Sequence, residues 1–407
     1  MIKKLVLSLA LFCSATMLLR PDSPASGGRI QEQESPATTE NAGLLKTADE
    51  VLAQVSKLRQ LDVNSPIAKG VKSREEIRSY LADRVKEEYK PEELEIEGRV
   101  LKRLRLIPQD MDVYEFAMNL LTEQVAGYYD PKTKTFYIAD WLSAEAQKPI
   151  MAHELTHALQ DQHFDVTPFL KRIKNNDDKM LARNSILEGE AVAVMIDYML
   201  EPMGMSFVKL PDLKQFMNVA QAMNSQEFKL FSTAPAYFRE TLIFPYTSGL
   251  SFMQAFCRVH SWADVAKVYA DLPDSTEQIM HPEKYMIERD EPTEVKPEQP
   301  KRLPGDGWKS IYTNVLGEFT TQLVLKEFLE QAQAEKAASG WDGDLVELLR
   351  NEAGKEAVVM RFVFDTEEDA REFKDAYSAL LTKKYPSGAE GTGSVTQNCA
   401  RVEVVEY

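Results

Sequence analysis

His153-Glu154-Leu155-Thr156-His157 lies in a run, Ile150 to Phe164, that contains no glycine and no proline. Such a run forms an α-helix. Residues four apart on a helix differ by about 40° in azimuth, so the two imidazoles project from one face. Two neutral imidazole nitrogens so placed suit a divalent ion such as Zn²⁺, with Glu154 beside them to take a proton from water. A catalytic zinc takes three protein ligands and keeps a fourth position open. The rest of the chain must therefore supply one more donor.

Two residues compete for that role. His163 would complete a histidine set, but Gln160 stands where the metzincin pattern H-E-x-x-H-x-x-G-x-x-H has the glycine that breaks the helix. On an unbroken helix His163 lies roughly 240° from His157. Glu188, in Leu187-Glu188-Gly189-Glu190-Ala191, is the other candidate. It shares a helix face with Ala191, Val192, Met195 and Met199, and a carboxylate on an apolar stripe requires a partner, either a metal or a cation such as Arg183. Glu190 is about 200° away from Glu188. It shares a face with Asp197 and Glu201 and reads as part of a solvated stripe.

His153, Glu154, His157 and the Glu188 segment together resemble the gluzincins, the thermolysin-like and aminopeptidase-like zinc peptidases, over residues 122–191. The resemblance implies a zincin-like core with Zn²⁺ held by His153, His157 and Glu188. It also implies hydrolysis of a peptide or protein substrate, with Glu154 as general base. The metzincin arrangement, with His163 as third ligand, stays open beside it. A developing oxyanion needs a donor; His281, Tyr246 and Tyr285 are the candidates. Asp161 and Asp165 are the nearest carboxylates for orienting an imidazole. In such peptidases an edge strand ahead of the zinc helix pairs with extended substrate, and Thr135 to Ile138 is the candidate edge. Nothing resembles a pocket for a substrate terminus, which points to an endopeptidase. The non-enzyme alternative is an exported scaffold that keeps the core without activity; an intact Glu154 favours the enzyme.

The 407-residue chain is 44% hydrophobic, enough for a sizeable core, and its net charge of −16 argues against nucleic acid and anionic membranes as partners. Lys3 and Lys4, the apolar run Leu5 to Leu19 and the small residues from Pro21 read as a signal peptide over 1–25. That implies export to the periplasm, envelope or exterior, with no stable membrane span once the leader is removed. Cys257 and Cys399 are then available for one disulfide or remain two thiols. Residues 26–43 read as a flexible tether, 44–287 as a helical zincin-like domain, 288–307 as a Pro-rich linker or loop, and 308–407 as a small α+β region. The class is α+β, predominantly helical.

Several local signals support that division. A helix is predicted over Leu44 to Leu61, and Ser73 with Glu76 forms a capping box for the next. A β-hairpin spans Val125 to Ile138 with its turn at Pro131, and Pro149 falls in the first turn of the His153 helix. Another helix covers 180–201, and helical segments continue to Tyr269. Ser275 and Gln278 cap a short helix. After the linker come a long helix, Val315 to Ala338, and strands over Leu345 to Leu349, Val358 to Phe364 and Ala400 to Val405, with a helix from Glu367 to Leu381.

Overall fold

A computed structural model describes residues 37–88, 91–124, 127–141, 144–166, 173–211, 213, 229–299, 303–387 and 391–407. The leader, the first part of the tether, and Val125 and Ala126 of the hairpin lie outside the described residues. The chain is α+β with helix predominating. Among the described residues no helix is long and apolar enough to cross a membrane.

Helix α1 (Ala37–Arg59) starts inside the stretch assigned to the tether and stops at Gln60, which takes the left-handed conformation, φ 62°. Strand β1 (Ala68–Lys72) follows, then α2 (Arg74–Glu88), α3 (Pro91–Arg103) and α4 (Val113–Gln124). The capping box at α2 forms as read: Glu76 N donates to Ser73 Oγ at 3.3 Å, and Ser73 N to a Glu76 oxygen at 2.8 Å. The hairpin consists of β2 (Gly127–Asp130) and β3 (Thr135–Ala139). Its turn is tied by the Asp130 carboxylate, which accepts from Lys132 N and Thr133 Oγ1.

One expectation is overturned here. The three-stranded sheet runs β1-β3-β2, so β3 is central, parallel to β1 and antiparallel to β2. Thr135 to Ile138 is therefore not an edge. The strand that covers it, AKGVK, has a glycine inside and no apolar alternation, so it carries none of the signals by which a strand is read. The outer strands are β1 and β2, and β2 is buried along its whole length.

Helix α5 (Ala144–Phe164) carries the His153 motif and begins before Ile150, which puts Pro149 in its second turn rather than its first. Gln147 donates from Nε2 to Ala139 O at 3.1 Å, fastening the start of the helix to the end of β3. Helix α6 (Asp177–Leu200) is buried along nearly its whole length. After the short α7 (Lys229–Thr233), α8 (Ala236–Cys257) crosses α6 at two glycines. A Cβ on Gly189 would lie 2.2 Å from the Gly249 carbonyl carbon, and one on Gly249 would lie 2.1 Å from Ser185 O. Only glycine permits this approach. The short helices α9 (Val265–Ala270), α10 (Thr276–Met280) and α11 (Glu283–Met286) follow, with Ser275 Oγ accepting from Gln278 N at the start of α10.

The C-terminal part is a five-stranded antiparallel sheet in the order β4-β5-β6-β8-β7. Its strands are β4 (Lys309–Asn314), β5 (Trp341–Arg350), β6 (Glu356–Phe364), β7 (Gly393–Asn398) and β8 (Arg401–Glu406). Strands β4 and β7 are polar and short, which hid them from pattern reading. The single helix expected over Val315 to Ala338 is two, α12 (Gly317–Lys326) and α13 (Gln331–Ala338), because Glu330 is extended at ψ 146°. Helix α14 (Glu367–Lys384) packs on the sheet.

The Pro-rich stretch is irregular but tied down. Thr293 N donates to Asp342 O at 2.6 Å, and Arg361 donates to Glu298 O at 2.8 Å. One apolar cluster runs from Leu44 to Val404. Across the seam to the C-terminal part, Asp177 N donates to Asn314 Oδ1 at 3.0 Å, and Asn314 Nδ2 donates back to the Asp177 carboxylate at 2.7 Å. Cys257 and Cys399 are unpaired thiols.

Candidate metal centre

Helices α5 and α6 pack side by side, and α5 presents His153 and His157 to α6 at Glu188. Nε2 of His153 lies 3.1 Å from Oε2 of Glu188, and Nε2 of His157 lies 3.1 Å from Nε2 of His153 and 3.5 Å from the same Glu188 oxygen. All three side chains are essentially buried. Donor atoms on a tetrahedral zinc with bonds of about 2.0–2.1 Å sit roughly 3.3–3.4 Å apart, so this triangle has the size of one face of a zinc site. Arg183, the other conceivable partner for Glu188, pairs with Asp274 instead.

The donor chemistry fits a divalent cation as well as the geometry does. Gln160 Nε2 donates to Leu187 O at 3.0 Å, so its amide oxygen faces His157 Nδ1 at 2.7 Å. That oxygen can only accept, so Nδ1 carries the proton and the Nε2 lone pair points into the triangle. Two ring nitrogens and a carboxylate oxygen converge there. The second Glu188 oxygen and Nδ1 of His153 have no hydrogen-bond partner among the described residues.

Burial lowers the pKa of His153, keeping it neutral. At His157 burial also pulls downward, but the Glu188 carboxylate outweighs it and raises the imidazole to about 9. Burial pushes Glu188 up, yet the imidazoles, His157 foremost, hold it below the usual carboxylate range. The cluster thus stabilises positive charge at its centre, where a proton and a metal ion compete.

Glu154 sits next to the triad, fully buried. One of its oxygens accepts from Tyr129 N of the edge strand β2 at 3.0 Å, while the other has no partner among the described residues. Burial raises its pKa to about 8, with the Glu188 charge adding to the rise and His157 and the Tyr129 N–H opposing it. A dication at the triad would pull this value back down.

The remaining site candidates separate. The Tyr246 ring on α8 stacks beside His153, with centroids 5.9 Å apart. His281 is engaged by Glu318 at 3.0 Å, and the Tyr285 hydroxyl donates to Asp271 O at 2.6 Å. Neither joins the triad, because α10 and α11 direct them to those partners. His163 faces away, its Nε2 2.7 Å from Asp62 O, since α5 continues unbroken past Gln160.

Asp161 does not orient an imidazole; it accepts from the Tyr129 hydroxyl at 2.7 Å and from Lys134 at 2.6 Å. Asp165 lies beyond the end of α5 in the left-handed region, φ 47°. The orienting residue is Gln160, whose i, i+3 spacing from His157 was visible in the sequence. Glu190 is also corrected. It is fully buried, not solvated, and paired with Arg59 and the Tyr269 hydroxyl.

Fold and site together define a helical α+β chain with a buried cluster of two histidines and one carboxylate. Residues 302–405 match a domain of unknown function (DUF8575), a segment that spans most of the five-stranded sheet and contains none of the residues at the cluster. No curated protein and no solved structure matches the chain.

Proposed function

We propose that this chain is a zinc-dependent peptidase with a zincin-like core, in which His153, His157 and Glu188 hold the metal. The observation that carries the reading is the triangle of three buried donor atoms with a fourth buried carboxylate, Glu154, beside it. Zinc at such a site supplies a Lewis acid and an acidified water. Glu154 takes the proton from the attacking water at its unpartnered oxygen and returns it to the leaving amine. The Tyr129 N–H holds the other oxygen and fixes the carboxyl. Tyr246, beside His153, is the donor we assign to the developing oxyanion.

Glu154→Gln should keep one zinc per chain and lose hydrolysis of a peptide library. Activity retained by that variant would falsify the base assignment. Glu188→Ala should lose zinc on dialysis while His163→Ala keeps it; the opposite pattern would transfer the third position to His163.

A further inference from the structure

The chain is strongly acidic, with a net charge of −16, yet one groove of about 1180 Å³ is basic. It lies where the end of α3 meets the turn between β5 and β6. Arg99, Lys102, Arg103 and Arg105 line one side, and Lys355 lines the other. Glu356 is the sole acidic side chain on its described wall, and it is already shared by Arg99 and Arg350, each at 2.7 Å. Arg103 donates to the Glu356 backbone oxygen at 3.4 Å. Lys102, Arg105 and Lys355 have no ion-pair partner among the described residues.

Arg105 is held there against a backbone preference. Leu106 N donates to Leu101 O at 3.0 Å and Arg105 N to Lys102 O at 3.1 Å, the paired bonds of a Schellman helix end. Arg105 fills the left-handed position, φ 64°, where glycine avoids the steric conflict. Terminating the helix alone does not call for arginine there. Behind the wall the buried Lys384 feels the same crowding. Burial, with Arg105 and Arg103 adding to it, holds its ammonium below the ordinary pKa even though Glu406 pairs with it.

The shape of the groove narrows the ligand. Arg99, Arg103 and Arg350 are gathered on Glu356, whereas the cations without an ion-pair partner come from two separate elements, the end of α3 and the turn after β5, and so match several carboxylates along a segment better than a single phosphate. Trp308 and Tyr385 also line the groove and add apolar surface to it, which suits apolar side chains interspersed among the acids. The volume exceeds the roughly 300–1,000 Å³ of a small-molecule pocket. A long polyanion running beyond the groove would meet the field of an acidic body.

We propose that this groove binds a carboxylate-rich segment of a protein or peptide, independently of the metal site. The test uses the full chain and a fluorescein-labelled Glu/Leu peptide in fluorescence anisotropy. A Lys/Leu peptide and a single-stranded oligodeoxynucleotide serve as comparisons. Saturable binding of the Glu/Leu peptide is expected, weakening as salt rises from about 50 to 200 mM. It should be roughly tenfold weaker in Lys102→Glu/Arg105→Glu/Lys355→Glu, which removes three exposed ion pairs. Absence of saturable binding, equal binding by the triple variant, or tighter binding of the oligonucleotide overturns the proposal. If circular dichroism shows that the triple variant does not fold, Lys102→Gln/Lys355→Gln is read by the same criteria with a loss of about threefold.

Discussion

Gln160 offers the sharpest test of how the cluster is held. Its side chain is fully buried and makes two hydrogen bonds, at 2.7 Å to His157 Nδ1 and 3.0 Å to Leu187 O. It therefore ties the second imidazole to the residue before Glu188. Gln160→Met keeps the volume and deletes both bonds. Leaving a buried imidazole N–H unpaired costs about 1–3 kcal/mol, so the metal-free protein should lose stability in that range. Removing the group that orients a metal-binding histidine costs about 10–100-fold in metal affinity. The assay is zinc competition against a chromophoric chelator, run beside urea unfolding of the metal-free protein. A weaker zinc Kd together with the stability loss supports the orienting role. Zinc affinity within threefold of wild type, whatever the stability, refutes it, because the ring would then be positioned without Gln160.

Further outcomes follow from packing and charge. Gly189→Ala should destabilise by at least about 2–3 kcal/mol in urea, since the new methyl meets backbone 2.2 Å away on α8 rather than a movable side chain; a loss under 1 kcal/mol would show that the helices can slide apart. Arg59→Met should cost about 3–5 kcal/mol by stranding the buried Glu190 carboxylate, and Arg59→Met/Glu190→Leu should recover much of it; additive losses would mean the pair is not coupled. His281 has its pKa raised, by Glu318 first, against the opposing effect of burial. Its contribution is therefore complete below the unfolded value near 6.5 and disappears as pH rises through the folded value. The stability advantage of wild type over His281→Gln, about 1 kcal/mol at pH 6, should shrink by pH 9; an advantage that grows with pH would reverse the sign.

Much of the local structure was readable because local rules govern it. The His153 helix, the Ser73 and Ser275 caps and the Asp130 turn all depend on residues within a few positions. What escaped depends on distant partners. Strand β1 exists because β3 offers it a ladder from Thr135 to Ala139, and nothing within AKGVK announces that. Strand β5 begins at Trp341, ahead of the reading, where Gly343 lets the Thr293 carbonyl approach. A Cβ there would lie 2.2 Å from that oxygen. The tether boundary, the split between α12 and α13 and the position of Pro149 are errors of the same kind, in which composition stood in for contacts.

The two carboxylates of Leu187-Glu188-Gly189-Glu190-Ala191 show where periodicity itself stops working. Their azimuths are opposite, as the helical period requires, yet the inference that one of them faces water fails, since both are fully buried. That inference holds only when a helix has a wet side, and α6 has almost none, with α5, α8 and α1 around it. On a helix enclosed all round, an acidic residue must find a cation on whichever face it occupies. Glu190 finds Arg59, which also donates to Trp262 O at 3.0 Å and lies 4.9 Å from that indole ring. Glu188 finds only two imidazoles, which share no fixed positive charge. The same burial thus leaves one carboxylate paired with a permanent cation and the other with imidazoles that carry charge only when protonated. Glycine at 189 serves both, because it lets α8 close over the helix and bring Tyr246 to His153.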